Sequence, residues 1–333
     1  MSFPIMKPFK LIACAVFFAV GATWVSAQAP ATPPPAAEIP ASPTLMPART
    51  FNSQLPLTVW VRTDIGDPGR KNVGRTPAAQ PINIPACLGW GVEPQAGVSL
   101  DAVVQEMQAQ SIPGLALKAA TDDDLAHLKG LTGLQLLCLG HTKITDAGLE
   151  NLKDMKEMQM LDLVWTPVTD AGIAQLNDMK KMEWLNIAFT HMTDGALETV
   201  GGFPGLRHLD LGGTHTSEVG LDHLKGLIHL QSLDLNGPPT TDAGMEHLKD
   251  MKEMQTLFLG GSKVTDAGLV YVKEMKDLRE VNLGGSKQVT DAGLENFKDL
   301  TALKSLNVAH TQVTDAGVAA LQTALPGCNI RTR

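Results

Sequence analysis

One phrase recurs along this chain and restricts it to a stacked fold. Ile144-Thr145-Asp146-Ala147-Gly148-Leu149 is its first full copy, and it returns at 168–173, 264–269, 289–294 and 313–318. Degenerate copies start at Thr121, Thr193, Ser217 and Thr241. The Thr or Ser positions run 121, 145, 169, 193, 217, 241, 265, 290 and 314, so every step is 24 residues except one of 25. A fixed period of this length is the mark of a solenoid, whose core grows along one axis instead of inside a sphere. The 333 residues therefore need not divide into separate globules.

Each unit carries L-x-x-L-x-L ahead of its Thr-Asp. The triplets are Leu134/Leu137/Leu139, Met158/Leu161/Leu163, Met182/Leu185/Ile187 and Leu206/Leu209/Leu211. They continue as Leu230/Leu233/Leu235, Met254/Leu257/Leu259, Leu278/Val281/Leu283 and Leu303/Leu306/Val308. The period of two predicts a short strand with both members of L-x-L facing the core. Leu115-Ala116-Leu117 reads as a truncated first strand, and Cys328-Asn329-Ile330 as a last one. The Thr then reads as a helix N-cap, with the following Asp favoured by the helix dipole. Leu149 and Leu152 turn one apolar face inward. Gly148 lowers helix propensity, which implies close approach to the next repeat. Met155, Met179, Met251 and Met275 keep one place in the unit, so they read as core rather than as a methionine-lined surface.

With these copies the chain resembles the leucine-rich repeats, specifically the bacterial secreted type with Thr-Asp-Ala-Gly-Leu helices, over 112–333. The resemblance implies an α/β solenoid like that of ribonuclease inhibitor. It would be a curved horseshoe with parallel strands on the concave face and short helices on the convex face. The repeats are also similar to those of eukaryotic F-box proteins, but no F-box-like segment is read before them, so a ubiquitin-ligase role does not carry over. The copies depart from the pattern at Gly195-Ala196, Ser217-Glu218, the inserted Gln288 and Gly237-Pro238-Pro239.

Repeat folds bind through the residues the scaffold leaves free. One free column is Cys138, Asp162, Asn186, Asp210, Asp234, Phe258, Asn282 and Asn307. A second, earlier in each strand, is Leu136, Met160, Trp184, His208, Ser232, Thr256, Glu280 and Ser305. Just past each strand come His141, Trp165, Phe189, Gly213, Gly237, Gly261, Gly285 and His310. Repeats two to four thus gather Trp165, Trp184, Phe189 and His208 beside Asp162, Asn186 and Asp210. With Asp234 they make a candidate concave binding patch, aromatic and rimmed by polar groups. The alternative is an ordinary polar ladder whose strand ends are shielded by Trp165 and Phe189. Asp210 and Asp234 fall on adjacent strands about 5 Å apart, close enough to repel, to raise a pKa or to call for a cation. Calcium needs six to eight oxygens, so intervening water is preferred and no metal is assigned. Neither the His223/His247 pair nor the His191/His215 pair supplies enough ligands for zinc.

The remaining features narrow the function. Among the motifs present there is no P-loop, G-x-G-x-x-G or G-x-S-x-G, so neither an enzyme nor a cofactor is expected. The net charge of -8, without a basic stripe, argues against nucleic acid. Cys87, Cys138 and Cys328 show no disulfide or metal spacing. Residues 1–27 read as a signal peptide: Lys7 and Lys10, the apolar run 11–20, then Val25-Ser26-Ala27. An uncleaved membrane anchor is the alternative, and only then is a membrane a partner. Residues 28–50 read as a Pro/Ala-rich linker and 51–111 as an N-terminal cap, with the solenoid at 112–333. Within the cap, Leu57-Thr58-Val59-Trp60-Val61 predicts a strand and 82–88 a second one interrupted by Pro85. Gly66-Asp67-Pro68-Gly69 predicts a turn, and Ser99 caps a helix to Gln110. A small separate β module at 51–91 is the alternative. The expectation is an exported scaffold, periplasmic, envelope-bound or extracellular, that binds a protein partner on its concave face. A structural envelope component and a glycan binder are the alternatives.

Overall fold

The computed structural model describes residues 45–63 and 70–333. The leader, linker residues 28–44 and the 66–69 turn lie outside the described residues. The first member of every L-x-L pair centres a three-residue strand paired in parallel with the next, and the second member lies just past the strand end. These strands are β7 (Leu136–Cys138), β8 (Met160–Asp162), β9 (Trp184–Asn186), β10 (His208–Asp210) and β11 (Ser232–Asp234). β12 (Thr256–Phe258), β13 (Glu280–Asn282) and β14 (Ser305–Asn307) follow. β6 (Gly114–Ala116) and β15 (Asn329–Arg331) extend the ladder at its two ends. Leu137, Leu161, Leu185, Leu209, Leu233, Leu257, Val281 and Leu306 stand opposite one another and are all buried.

The return path is a short helical segment, from four residues at Asp291–Leu294 to ten at Asp315–Ala324. Asp146–Leu149 is α-helical and continues as the tighter 3-10 segment Glu150–Leu152, while Gly268–Glu274 is 3-10 throughout. Leu149, Leu152 and Met155 join the strand leucines in one core that runs the length of the stack. A hydroxyl tightens the corner after the strand. Thr142, Thr166, Thr190 and Thr214 each donate to the carbonyl three residues back at 2.5–2.7 Å, which satisfies a buried acceptor.

The motif's Asp stands in the first turn of its helix, as the dipole favours, and it also acts across repeats. Asp146 accepts both the N–H (2.8 Å) and the hydroxyl (2.6 Å) of Thr169 in the next repeat. Asp122–Thr145, Asp170–Thr193, Asp194–Ser217, Asp242–Thr265, Asp266–Thr290 and Asp291–Thr314 repeat this double bond. Where Glu218 replaces Asp, only the Thr241 hydroxyl is held. Thr121 opens the series and is capped instead by its own Asp124. The glycine follows from the same contact. A Cβ on Gly148, Gly172, Gly220, Gly268, Gly293 or Gly317 would run into the carboxylate oxygen arriving from the preceding repeat. The close approach is therefore to the repeat before, not the repeat after.

The N-terminal region continues the same sheet. β2 (Leu57–Arg62) lies between β3 (Lys71–Arg75) and β5 (Gly89–Pro94), antiparallel to both. β5 then pairs in parallel with β6 at Val92 and Leu115, giving one sheet of 13 strands among the described residues. β1 (Arg49–Phe51) pairs with β4 (Ile82–Ile84). Arg49 and Thr50, assigned to the linker, are thus strand residues, and the run expected at 82–88 ends at Ile84. The helix Leu100–Gln110 buries Val103 and Met107 against the stack end, as its apolar spacing predicts. Among the described residues no helix is long and apolar enough to cross a membrane.

Candidate functional site

The sheet face turned away from the core carries the two free columns, and the structure divides the expected patch in two. On the first repeats this face is closed. Trp60, Ala116, Leu136, Cys138, Met160 and Trp184 form a buried apolar cluster separate from the main core. Alternation along β2 explains the contribution of the cap. Leu57, Val59 and Val61 enter the main core, so Trp60 and Arg62 emerge on the opposite face. The Arg62 guanidinium lies 5.3 Å from the Trp184 ring centre. On its other side Trp184 stacks against His208 at 4.9 Å and 6°. Trp184 is 1% exposed, and Arg62 and Leu88 share a void of about 20 Å³ with Leu136, Met160 and Trp184. Burial, with Arg62 nearby, pushes the His208 imidazole down to about 3, so it is neutral at pH 7. Trp184 and His208 are therefore interior residues, not part of an open surface.

The second division is open. His141, Trp165 and Phe189 form a continuous stack along the strand-exit rim. Trp165 and Phe189 are 4.5 Å apart and nearly coplanar at 4°, and His141 lies 6.4 Å from Trp165. The Phe189 ring rests on Gly213, where a Cβ would lie 2.6 Å from it. Trp165 is 55% and Phe189 49% exposed. This rim position has left-handed backbone throughout, with φ of 61°, 56° and 53° at His141, Trp165 and Phe189. Gly213, Gly237, Gly261 and Gly285 fill the same place with positive φ. Such a conformation suits glycine and costs a side-chain-bearing residue about 1–2 kcal/mol. Two large exposed aromatics there are not what the scaffold itself selects.

Beside the rim runs the acidic and amide column. Asp162, Asn186, Asp210, Asp234, Asn282 and Asn307 each accept the N–H two residues on, at 2.7–3.2 Å. This is a local turn device, and the amides perform it as well as the carboxylates. Asp210 faces Asp234 in register. Burial first, and the Asp234 charge second, lift the Asp210 carboxyl to about 6. Burial also raises Asp162 and Asp234. Among the described residues no group of three or more His, Cys, Asp or Glu is placed to hold a metal ion. Cys87, Cys138 and Cys328 are free and buried.

Because the Asp210 carboxyl binds its proton more tightly folded than unfolded, stability falls as pH rises from about 4 to about 6. Asp210→Asn keeps an acceptor for Gly212 and removes the charge. We expect it to stabilise the fold at pH 7 by about 1–3 kcal/mol, with the gain gone at pH 4. Thermal melts at the two pH values decide this, since an equal gain at both would show an unstrained carboxylate.

Comparison with known proteins adds the frame. The Leucine Rich repeat family matches residues 300–321. An internalin C2 of known structure from Listeria monocytogenes is similar over 70% of this chain and 92% of its own, with a TM-score of 0.51 and 20% identity. An internalin from the same organism, inlF, covers 70% of this chain and 80% of its own at 19% identity, with a TM-score of 0.46. No curated protein matches in sequence. The fold is a leucine-rich-repeat solenoid. In its terms, the Thr-Asp-Ala-Gly-Leu segment builds the helical side, and the variable residues lie on the strand face and its rim.

Proposed function

We propose that this solenoid is an exported binding scaffold rather than an enzyme, and that it holds a protein partner on the rim formed by His141, Trp165 and Phe189. The observation that carries the reading is the exposed Trp165–Phe189 stack at a position whose backbone favours glycine. Residues that oppose a local preference without helping the core mark functional surface. Binding would exploit rigid display, since the stacked rings are already ordered and little entropy is lost on contact. Asp162, Asn186, Asp210 and Asp234 border the surface, while Trp184 and His208 are buried apart from it. Export rests on the leader motif at 1–27, and the mass of the mature N-terminus tests it.

The stack also weighs against a glycan partner. Sugar recognition of the stacking kind needs an open ring face, and here Trp165 lies between His141 and Phe189 while Phe189 lies on Gly213. The rings present their edges, which suit the side chains of a polypeptide. Trp165→Gly with Phe189→Gly relieves two left-handed side chains and removes two stacked pairs, gains and losses of similar size, so the net stability change is expected within about 1 kcal/mol. That variant should lose the partner in affinity capture from an envelope extract while melting with the wild type. Retained capture would sink the proposal, and oligosaccharide binding that depends on Trp165 would select the glycan alternative.

A further inference from the structure

We infer that the segment docking on this rim is basic as well as apolar: it sets an arginine or lysine beside an aliphatic or aromatic side chain. The inference rests on the protein-binding reading above and adds the partner's chemistry. Its first ground is that carboxylates stand at both ends of the aromatic stack. A Cβ on Gly140, just before His141, would lie 3.4 Å from both Asp162 carboxylate oxygens. At the other end, a Cβ on Gly212 would lie 3.1 Å from Asp210 and 3.5 Å from Asp234. Gly213, on which Phe189 rests, is the next residue.

Its second ground is that these charges are surplus to the fold. Asn186, Asn282 and Asn307 make the same turn bond without a charge. Asp162 has Arg70 and His141 acting on it, but the charges bearing on Asp210 are the carboxylates of Asp234 and Asp162. A like-charged row is thus maintained beside an exposed apolar strip, and a cation from outside relieves it. The chain's net charge of -8 sets a second copy against this site. The approach is clear, because Gly213, Gly237, Gly261 and Gly285 leave four successive rim positions between Phe189 and His310 without side chains.

The test is selection of displayed random peptides on the full chain, with counter-selection on Trp165→Gly/Phe189→Gly. The expected peptides are retained only by the wild type and are enriched in Arg or Lys next to an apolar residue. Asp210→Asn/Asp234→Asn should weaken them about tenfold, and added salt should weaken them further. Melting curves confirm that both double variants are folded. Rim-dependent peptides without basic enrichment, or indifferent to the two Asp→Asn changes, would overturn this inference and leave the protein-binding reading standing. If no peptide depends on Trp165 and Phe189, that reading fails and this one with it.

Discussion

Asp146→Ala is expected to destabilise the solenoid by about 2–4 kcal/mol, although the residue lies at the surface of a helix turn. Its carboxylate takes the N–H and the hydroxyl of Thr169, and bonds to a charged acceptor are worth about 1.5–3 kcal/mol where the donors are withdrawn from water. In a stack, each repeat contacts only its neighbours, so a broken staple weakens one interface and shortens the cooperative unit. Gly172→Ala attacks the same contact from the other side. Its Cβ would meet Asp146 Oδ1, with Val168 at 2.8 Å and Leu149 at 3.0 Å, and overpacking of this kind costs about 1–3 kcal/mol. Because both changes act on one contact, the double variant should cost less than the sum. The chain contains its own control. In the third repeat Ala196 occupies the glycine position and Gly195 precedes it, yet Asp170 still holds Thr193 through both bonds. The swap Ala171→Gly/Gly172→Ala should therefore recover most of what Gly172→Ala loses. Urea titration of the four variants measures this, and strict additivity of Asp146→Ala and Gly172→Ala would refute the staple.

This staple shows what the sequence conveys and where it stops. The period, the strand positions, the buried leucines and the methionine places follow from spacing alone, because each depends on residues within one unit. The role of Asp146 does not, since its partner sits 23 residues on and a helix-dipole account fits the local sequence equally well. The cap was harder for the same reason. Lys71–Arg75 has no alternating apolar residues and Gly89–Pro94 only Trp90 and Val92 set between glycines, and both become strands by pairing with Leu57–Arg62. Pairing partners that distant leave no local signal. At the candidate site, Trp165 and Phe189 were legible as variable residues on a fixed register, while their left-handed backbone was visible only through the glycines that replace them in later repeats.

Trp184→Ala is expected to cost about 3–5 kcal/mol, in contrast to the near-neutral rim variant. Sequence position alone groups Trp184 with Trp165 and treats either as a removable contact residue. The structure separates them, since Trp184 is packed between Arg62 and His208 and against Met160 and Leu136. Truncation would empty a site walled by two different segments, the cap strand and the repeats, so the cavity has little freedom to collapse. The indole nitrogen makes no hydrogen bond among the described residues, so Trp184→Phe sacrifices contact area but no polar partner and should cost distinctly less. Trp60→Ala should resemble Trp184→Ala, because both rings belong to the one cluster that fastens the cap across the first repeats. Hydrogen exchange locates the effect: faster exchange in Leu57–Arg62 and Gly89–Pro94 is expected before any loss of protection in the later repeats. If Trp184→Ala melts with the wild type, the cap does not close this face and the concave patch regains its claim to a partner.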